Sequence, residues 1–161
     1  MNSNPKPKPK AYLITFTTYG SWLHGDSRGS VHRRPARGKR GKTGALPRLY
    51  NYQGRNLSQA PIVLNAEQRA VVREAIVEEC VFRNWRLLAE TVRVQHCHAA
   101  IEGDAQPERM MQNIKATATR KLRERGLFGQ TQRVWARHGS TRYLWTNDAV
   151  TMACDYVKSH G

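Results

Sequence analysis

Hydrophobic and polar positions along the chain fall into short blocks of two different periods. "AYLITFTTY" (residues 11–19) is rich in β-branched and aromatic residues and predicts a strand. "GSWLHGD" then reads as a turn. Residues 26–60 show neither period; they are basic and rich in Gly and Pro, and predict a long loop. A helix follows. Asn65 can cap it, Gln68 stands where a capping box needs it, and Val72, Ile76 and Cys80 recur as a buried stripe up to about Asn84. "WRLLAETVRV" and "HCHAAIE" predict two strands, ended by "GDAQ". Pro107 opens a second helix. Met111, Ile114, Ala118 and Leu122 line its core face, Lys115, Arg120, Lys121 and Arg123 place charge elsewhere around it, and Gly126 stops it. "RYLW" (142–145) predicts a short last strand. "TNDAVTMACDYVKSH" predicts a third helix, buried through Val150, Ala153, Cys154 and Val157. This order implies an α+β fold, an antiparallel sheet with helices on one side. It is read as one domain over residues 11–161 behind a flexible basic leader, "MNSNPKPKPK".

Charge narrows the class of partner. Lys and Arg number 27 against 12 Asp and Glu, a net charge of +15. Nine Lys/Arg and no Asp or Glu lie between Arg28 and Arg55, and nine more, against Glu124 alone, between Arg109 and Arg142. Clustered positive charge attracts polyanions, and nucleic acid is the default partner. Arg33, Arg34, Arg37, Lys39 and Arg40 of the loop, with Lys115, Arg120, Lys121 and Arg123 of the second helix, are the candidate DNA contacts. Tyr50 and Tyr52 either stack on unpaired bases or pack the loop onto the domain. No apolar run approaches the roughly 18 residues that cross a bilayer, so no membrane partner is expected. The three cysteines are odd in number and lack CxxC spacing, which fits a reducing cytoplasm.

The chemistry concentrates in "VRVQHCHAAIEGD" (92–104). Residues two apart in a strand share a face, so His96 and His98 project together while Cys97 faces the core. Two imidazoles make half a metal site; the plainer reading is two half-exposed histidines on a sheet surface. The C-terminal helix adds weight to the first. Tyr156 lies off the buried stripe, and His160 is one turn further on the same helix face. Docked against the histidine pair, this helix would bring a phenol nucleophile beside three metal ligands, His96, His98 and His160. A divalent ion there would stabilise charge on phosphodiester oxygens.

This constellation resembles the HUH-type single-tyrosine transposases, the IS200-like and REP-associated enzymes. "HCH" matches their histidine–hydrophobic–histidine strand, "NIKATATRKL" is similar to their basic helix, and "YLWTNDAVTMACDYVKSH" to their tyrosine-bearing stretch. Tyr156 matches the nucleophile, and His96 and His98 the metal pair. His160 stands where relatives often have Gln, a substitution that tilts preference towards manganese. Gln95 stands where Asn is usual, and the 26–60 segment is longer than in relatives. The resemblance implies a ferredoxin-like sheet with helices packed on one face, plus a C-terminal tyrosine-bearing helix. It implies Mg²⁺ or Mn²⁺ as cofactor, and cleavage and rejoining of single-stranded or hairpin DNA through a 5′-phosphotyrosine intermediate. It further implies a nucleoid-associated protein, with a homodimer sharing its active sites in some members. Two other readings share the same features. One is a domesticated nucleic-acid-binding protein of this fold without transposition activity. The other is a metal-dependent hydrolase in which Tyr156 is structural.

Overall fold

The computed structural model describes residues 7–21, 30–33, 40–43 and 58–159. The first strand, β1, spans Ala11–Thr18. Two short strands, β2 (Ser30–Arg33) and β3 (Arg40–Thr43), pair with each other antiparallel inside the stretch expected to be all loop. Their sequences, "SVHR" and "RGKT", carry almost no apolar signal, so pattern reading passes over them. Helix α1 (Ala66–Phe82) starts at the expected capping box: Asn65 accepts from the Gln68 amide at 2.8 Å, and Gln68 accepts from the Asn65 amide at 2.9 Å. Strands β4 (Arg86–Val92) and β5 (His96–Glu102) follow as a hairpin. Helix α2 runs over Pro107–Glu124, β6 over Trp135–Leu144 and α3 over Asn147–Ser159. β6 is far longer than "RYLW" suggested. Its extension contains Gly139, where a side chain would meet Met111 and the Thr15 carbonyl. A position that must be glycine shows no hydrophobic period.

The main sheet has the order β4-β5-β1-β6, with all neighbours antiparallel. With α1 and α2 as the two crossovers, this is the ferredoxin-like β-α-β-β-α-β arrangement. Both crossover helices cover one face. There Tyr12, Ile14 and Phe16 of β1 and Cys97, Ala99 and Ile101 of β5 meet Val72, Ile76, Ile114 and Leu122. The third helix covers the opposite face: Ala153 packs with Ala11 and Leu144, and Val157 with Ala89 and Ala100, over Leu13 and Leu88. The full burial of Val157 contributes roughly 1.5–3 kcal/mol to that seat. Over Ala11–Ile14, beneath α3, β1 is therefore apolar on both sides, as a sheet covered on both faces requires.

One expectation about α2 is overturned. Lys115 does not supply surface charge; it is buried. Its Nζ donates to the carbonyls of Ala136 at 3.0 Å and His138 at 3.3 Å, and lies 5.8 Å over the Phe16 ring. The reason is helical spacing: it falls one turn after Met111 and just before Ala118, within the apolar stripe. Burial pulls its pKa below the usual lysine value.

Candidate active site

The face of the sheet under α3 is apolar at one end and polar at the other. Leu13 and Ala100, paired across β1 and β5, form the apolar seat. One step further along, Thr15 pairs with His98, and one more step on, Thr17 pairs with His96. Thr91 of β4 flanks His98 on the other side. β-strand alternation thus places both histidines on one face, in a band of threonines. Their rings lie almost parallel, 4° apart in plane, with centroids 6.5 Å apart. Cys97, between them, points into the core, and burial pushes its thiol pKa far up, with Glu90 adding to the rise. It is an inert hydrophobe rather than a ligand.

Helix α3 sets the third group. Because Val157 is anchored on Ala89 and Ala100, the preceding residue projects sideways along the sheet, about 100° round the helix. That residue is Tyr156, 44% exposed, and its ring meets His98 edge to face at 5.6 Å. The phenol and one imidazole therefore meet within a single chain. Thr15 Oγ1 lies 2.9 Å from His98 Nδ1. Such a bond to one imidazole nitrogen fixes ring orientation and tautomer.

His96 and His98 offer the donor chemistry of a divalent transition-metal or magnesium site in part: two imidazoles on one face. Among the described residues, no group of three His, Cys, Asp or Glu side chains stands ready to hold an ion. His160, the expected third ligand, lies outside the described residues.

The DNA-contact candidates scatter. Arg33 and Arg40 are paired in register across β2 and β3, while Arg34, Arg37 and Lys39 lie outside the described residues, as do Tyr50 and Tyr52. On α2, Arg120 pairs with Glu78 and Glu124, and Lys121 with Glu74 and Glu78. Arg123 donates to the Gln132 carbonyl at 3.1 Å. Arg120 and Arg123 nonetheless line a groove of about 1150 Å³ between α2 and residues 130–137, together with Arg133 and Arg137. Those last two arginines escaped sequence reading, because the segment leading into the extended β6 and the start of that strand bring them beside α2. Thr15 escaped it too, since strand register alone places it on His98.

An α+β sheet of this order carries on its second face an imidazole pair, of which one member, His98, meets the phenol of Tyr156. Among solved structures, the chain is similar to a REP-associated tyrosine transposase bound to a REP hairpin, with a TM-score of 0.52 and 13% identity. The match covers 100% of this chain and 74% of that one. At this identity the likeness is one of fold. No protein-family model matches the chain, and no curated protein matches it in sequence. No helix among the described residues is long and apolar enough to cross a membrane.

Proposed function

We propose that this chain cleaves and rejoins single-stranded DNA through a tyrosine–phosphate bond, as an HUH-type transposase acting on hairpin-bearing ends. The observation that carries the reading is the meeting of Tyr156 and His98 at 5.6 Å, beside His96. The fold likeness to a hairpin-bound transposase and the net charge of +15 support it.

In this reading Tyr156 Oη attacks the phosphorus of a phosphodiester. The new bond is Tyr156 Oη–P, and the bond broken is P–O3′. The phenol gives up its proton, and the departing 3′ oxygen takes one up, leaving a 3′-hydroxyl and a 5′-phosphotyrosine. Rejoining is the same step reversed by another 3′-hydroxyl. His96 and His98 would hold a divalent cation, Mg²⁺ or Mn²⁺, with His160 as third ligand. When bound, that ion supplies charge stabilisation to the non-bridging phosphate oxygens. Thr15, on His98 Nδ1, would orient that ring and direct ligation to Nε2. The exposure of Tyr156 suits a nucleophile that must admit a polymer. The groove lined by Arg120, Arg123, Arg133 and Arg137 would hold phosphates away from the cut.

The test is incubation with single-stranded hairpin DNA and Mn²⁺ or Mg²⁺, followed by denaturing electrophoresis. A protein–DNA adduct is expected from the wild type and none from Tyr156→Phe, which should still bind the hairpin. An adduct of normal yield with the phenylalanine variant would remove Tyr156 as the nucleophile.

A further inference from the structure

We propose that Tyr143 and Trp145 form a stacking platform for an unpaired base of the nucleic-acid strand. The inference rests on the reading of the chain as a single-strand DNA enzyme, and names a contact that reading does not require.

Both rings are large, apolar and left in solvent: Tyr143 is 39% and Trp145 51% exposed. They stack on each other, with planes 18° apart and centroids 6.1 Å apart. The pair is braced rather than loose. Tyr143 meets the buried Tyr12 ring edge to face at 5.2 Å, and its hydroxyl donates to Gln106 Oε1 at 3.1 Å. A rigid, solvent-facing aromatic surface loses little conformational entropy when a flat ring lies on it, and every nucleobase has such a face.

The surroundings favour a polyanion over a neutral peptide. The Lys10 amide donates to the Leu144 carbonyl at 2.8 Å, which places exposed Lys10 across from Trp145 where the β1–β6 ladder ends. Arg109 is exposed in the first turn of α2, near Gln106, while Arg142, also exposed, alternates to the opposite face of β6 from Tyr143. None of these three cations forms an ion pair with a described residue. Glu108 and Asp148 are acidic neighbours: the Glu108 carboxylate already accepts from Thr141 at 2.6 Å, and Asp148 stands in the first turn of α3. Position fits as well. Trp145 directly follows β6, one of the two outer strands of the sheet, and α3 starts at Asn147 on the other face. Tyr156 is nine residues into that helix, about 14 Å along its axis. A strand rounding the sheet edge at Trp145 is thereby led towards the nucleophile's face.

The experiment compares the full-length chain with Trp145→Phe, Trp145→Ala and Tyr143→Ala. Tryptophan fluorescence is followed during titration with a single-stranded oligonucleotide, its duplex, and an abasic strand of equal length. The wild type should show quenching by the single strand that the duplex and the abasic strand do not give, and Trp145→Phe should lack that component. Trp145→Ala should bind the single strand roughly 5- to 150-fold more weakly, and Trp145→Phe should keep most of the affinity. Equal single-strand affinity for wild type and a folded Trp145→Ala, judged by circular dichroism, would overturn the platform, as would equal quenching by the abasic strand. Should Trp145→Ala fail to fold, Trp145→Phe and Tyr143→Ala carry the same decision through the quenching component and the affinity. An adduct on Tyr156 with a flat Trp145 response would sink the platform and leave the enzyme standing. Base-dependent quenching without any adduct would do the opposite.

Discussion

The Thr15 hydroxyl sits 2.9 Å from Nδ1 of His98, on the neighbouring strand and in direct register with it. Partners of this kind hold an imidazole in one tautomer and one orientation, and their removal typically lowers metal affinity about 10–100-fold. Thr15→Val, which keeps the shape and drops the oxygen, should therefore weaken Mn²⁺ binding by that order, and Thr15→Ser should restore it. Calorimetric titration decides; identical affinities in the three proteins would leave Thr15 a packing residue.

Tyr156 touches His98 of its own chain. The two halves of the site should then have to reside in one molecule. Mixing Tyr156→Phe with His98→Ala should give no covalent adduct, even at high protein concentration. Recovery of the adduct in the mixture would show a tyrosine helix docked on a partner's histidines, the shared-site arrangement seen in some of the enzymes the sequence resembles.

Lys115 offers a contrast between charge that meets ligands and charge that holds the fold. Its ammonium satisfies two carbonyls of β6 from inside the core. Lys115→Met should cost about 1–3 kcal/mol in chemical denaturation, because those acceptors lose a charged donor. The salt dependence of DNA binding should not change. A log–log slope reduced by roughly 0.7 would instead mean a lost phosphate contact.

The sequence placed most elements, and the reasons for the misses are physical. β5 and the α1 capping box were legible because their periods are clean and their caps local. Lys115 was misplaced: its spacing from Met111 and Ala118 marks it for the core, but its charge pointed to the surface. β6 was not, since an outer strand with a forced glycine at Gly139 and polar residues on its exposed side carries little pattern. The side of the sheet that α3 takes was hinted at only by the apolar run Ala11–Ile14 at the start of β1. Tyr156 could be singled out from its helix face alone, whereas its partner His98 needed the packing of Val157 on Ala100 to be known.

Helices α1 and α2 are also joined by charge, and this gives a pH signature. Hydrogen bonds from Lys121 and Arg125 hold the Glu74 carboxyl below its usual 4.5. A depressed folded-state value means stability that is present above about pH 4.5 and lost as pH falls through the folded value. Lys121 is shifted the other way, raised from 10.5 by Glu78 and Glu74, so its contribution holds below pH 10.5 and fades above it. Thermal melting of wild type and Glu74→Gln across both limbs should show a shallower acid loss in the variant. Parallel curves would mean solvent screens the cluster completely.

The two halves of the candidate site differ in how firmly the rest of the protein grips them. His98 belongs to β5, an interior strand hydrogen-bonded on both sides, beneath the main core. Tyr156 belongs to a helix that rests on the sheet chiefly through Ala153 and Val157. Native-state opening follows such differences, with sparsely buried helices exchanging their amide protons first and inner strands last. Amide exchange should therefore show α3 releasing at a free energy below that of global unfolding. Under the proposed reaction, a DNA end joined to Tyr156 would ride on an element able to lift away while the histidine strand stays folded beneath it.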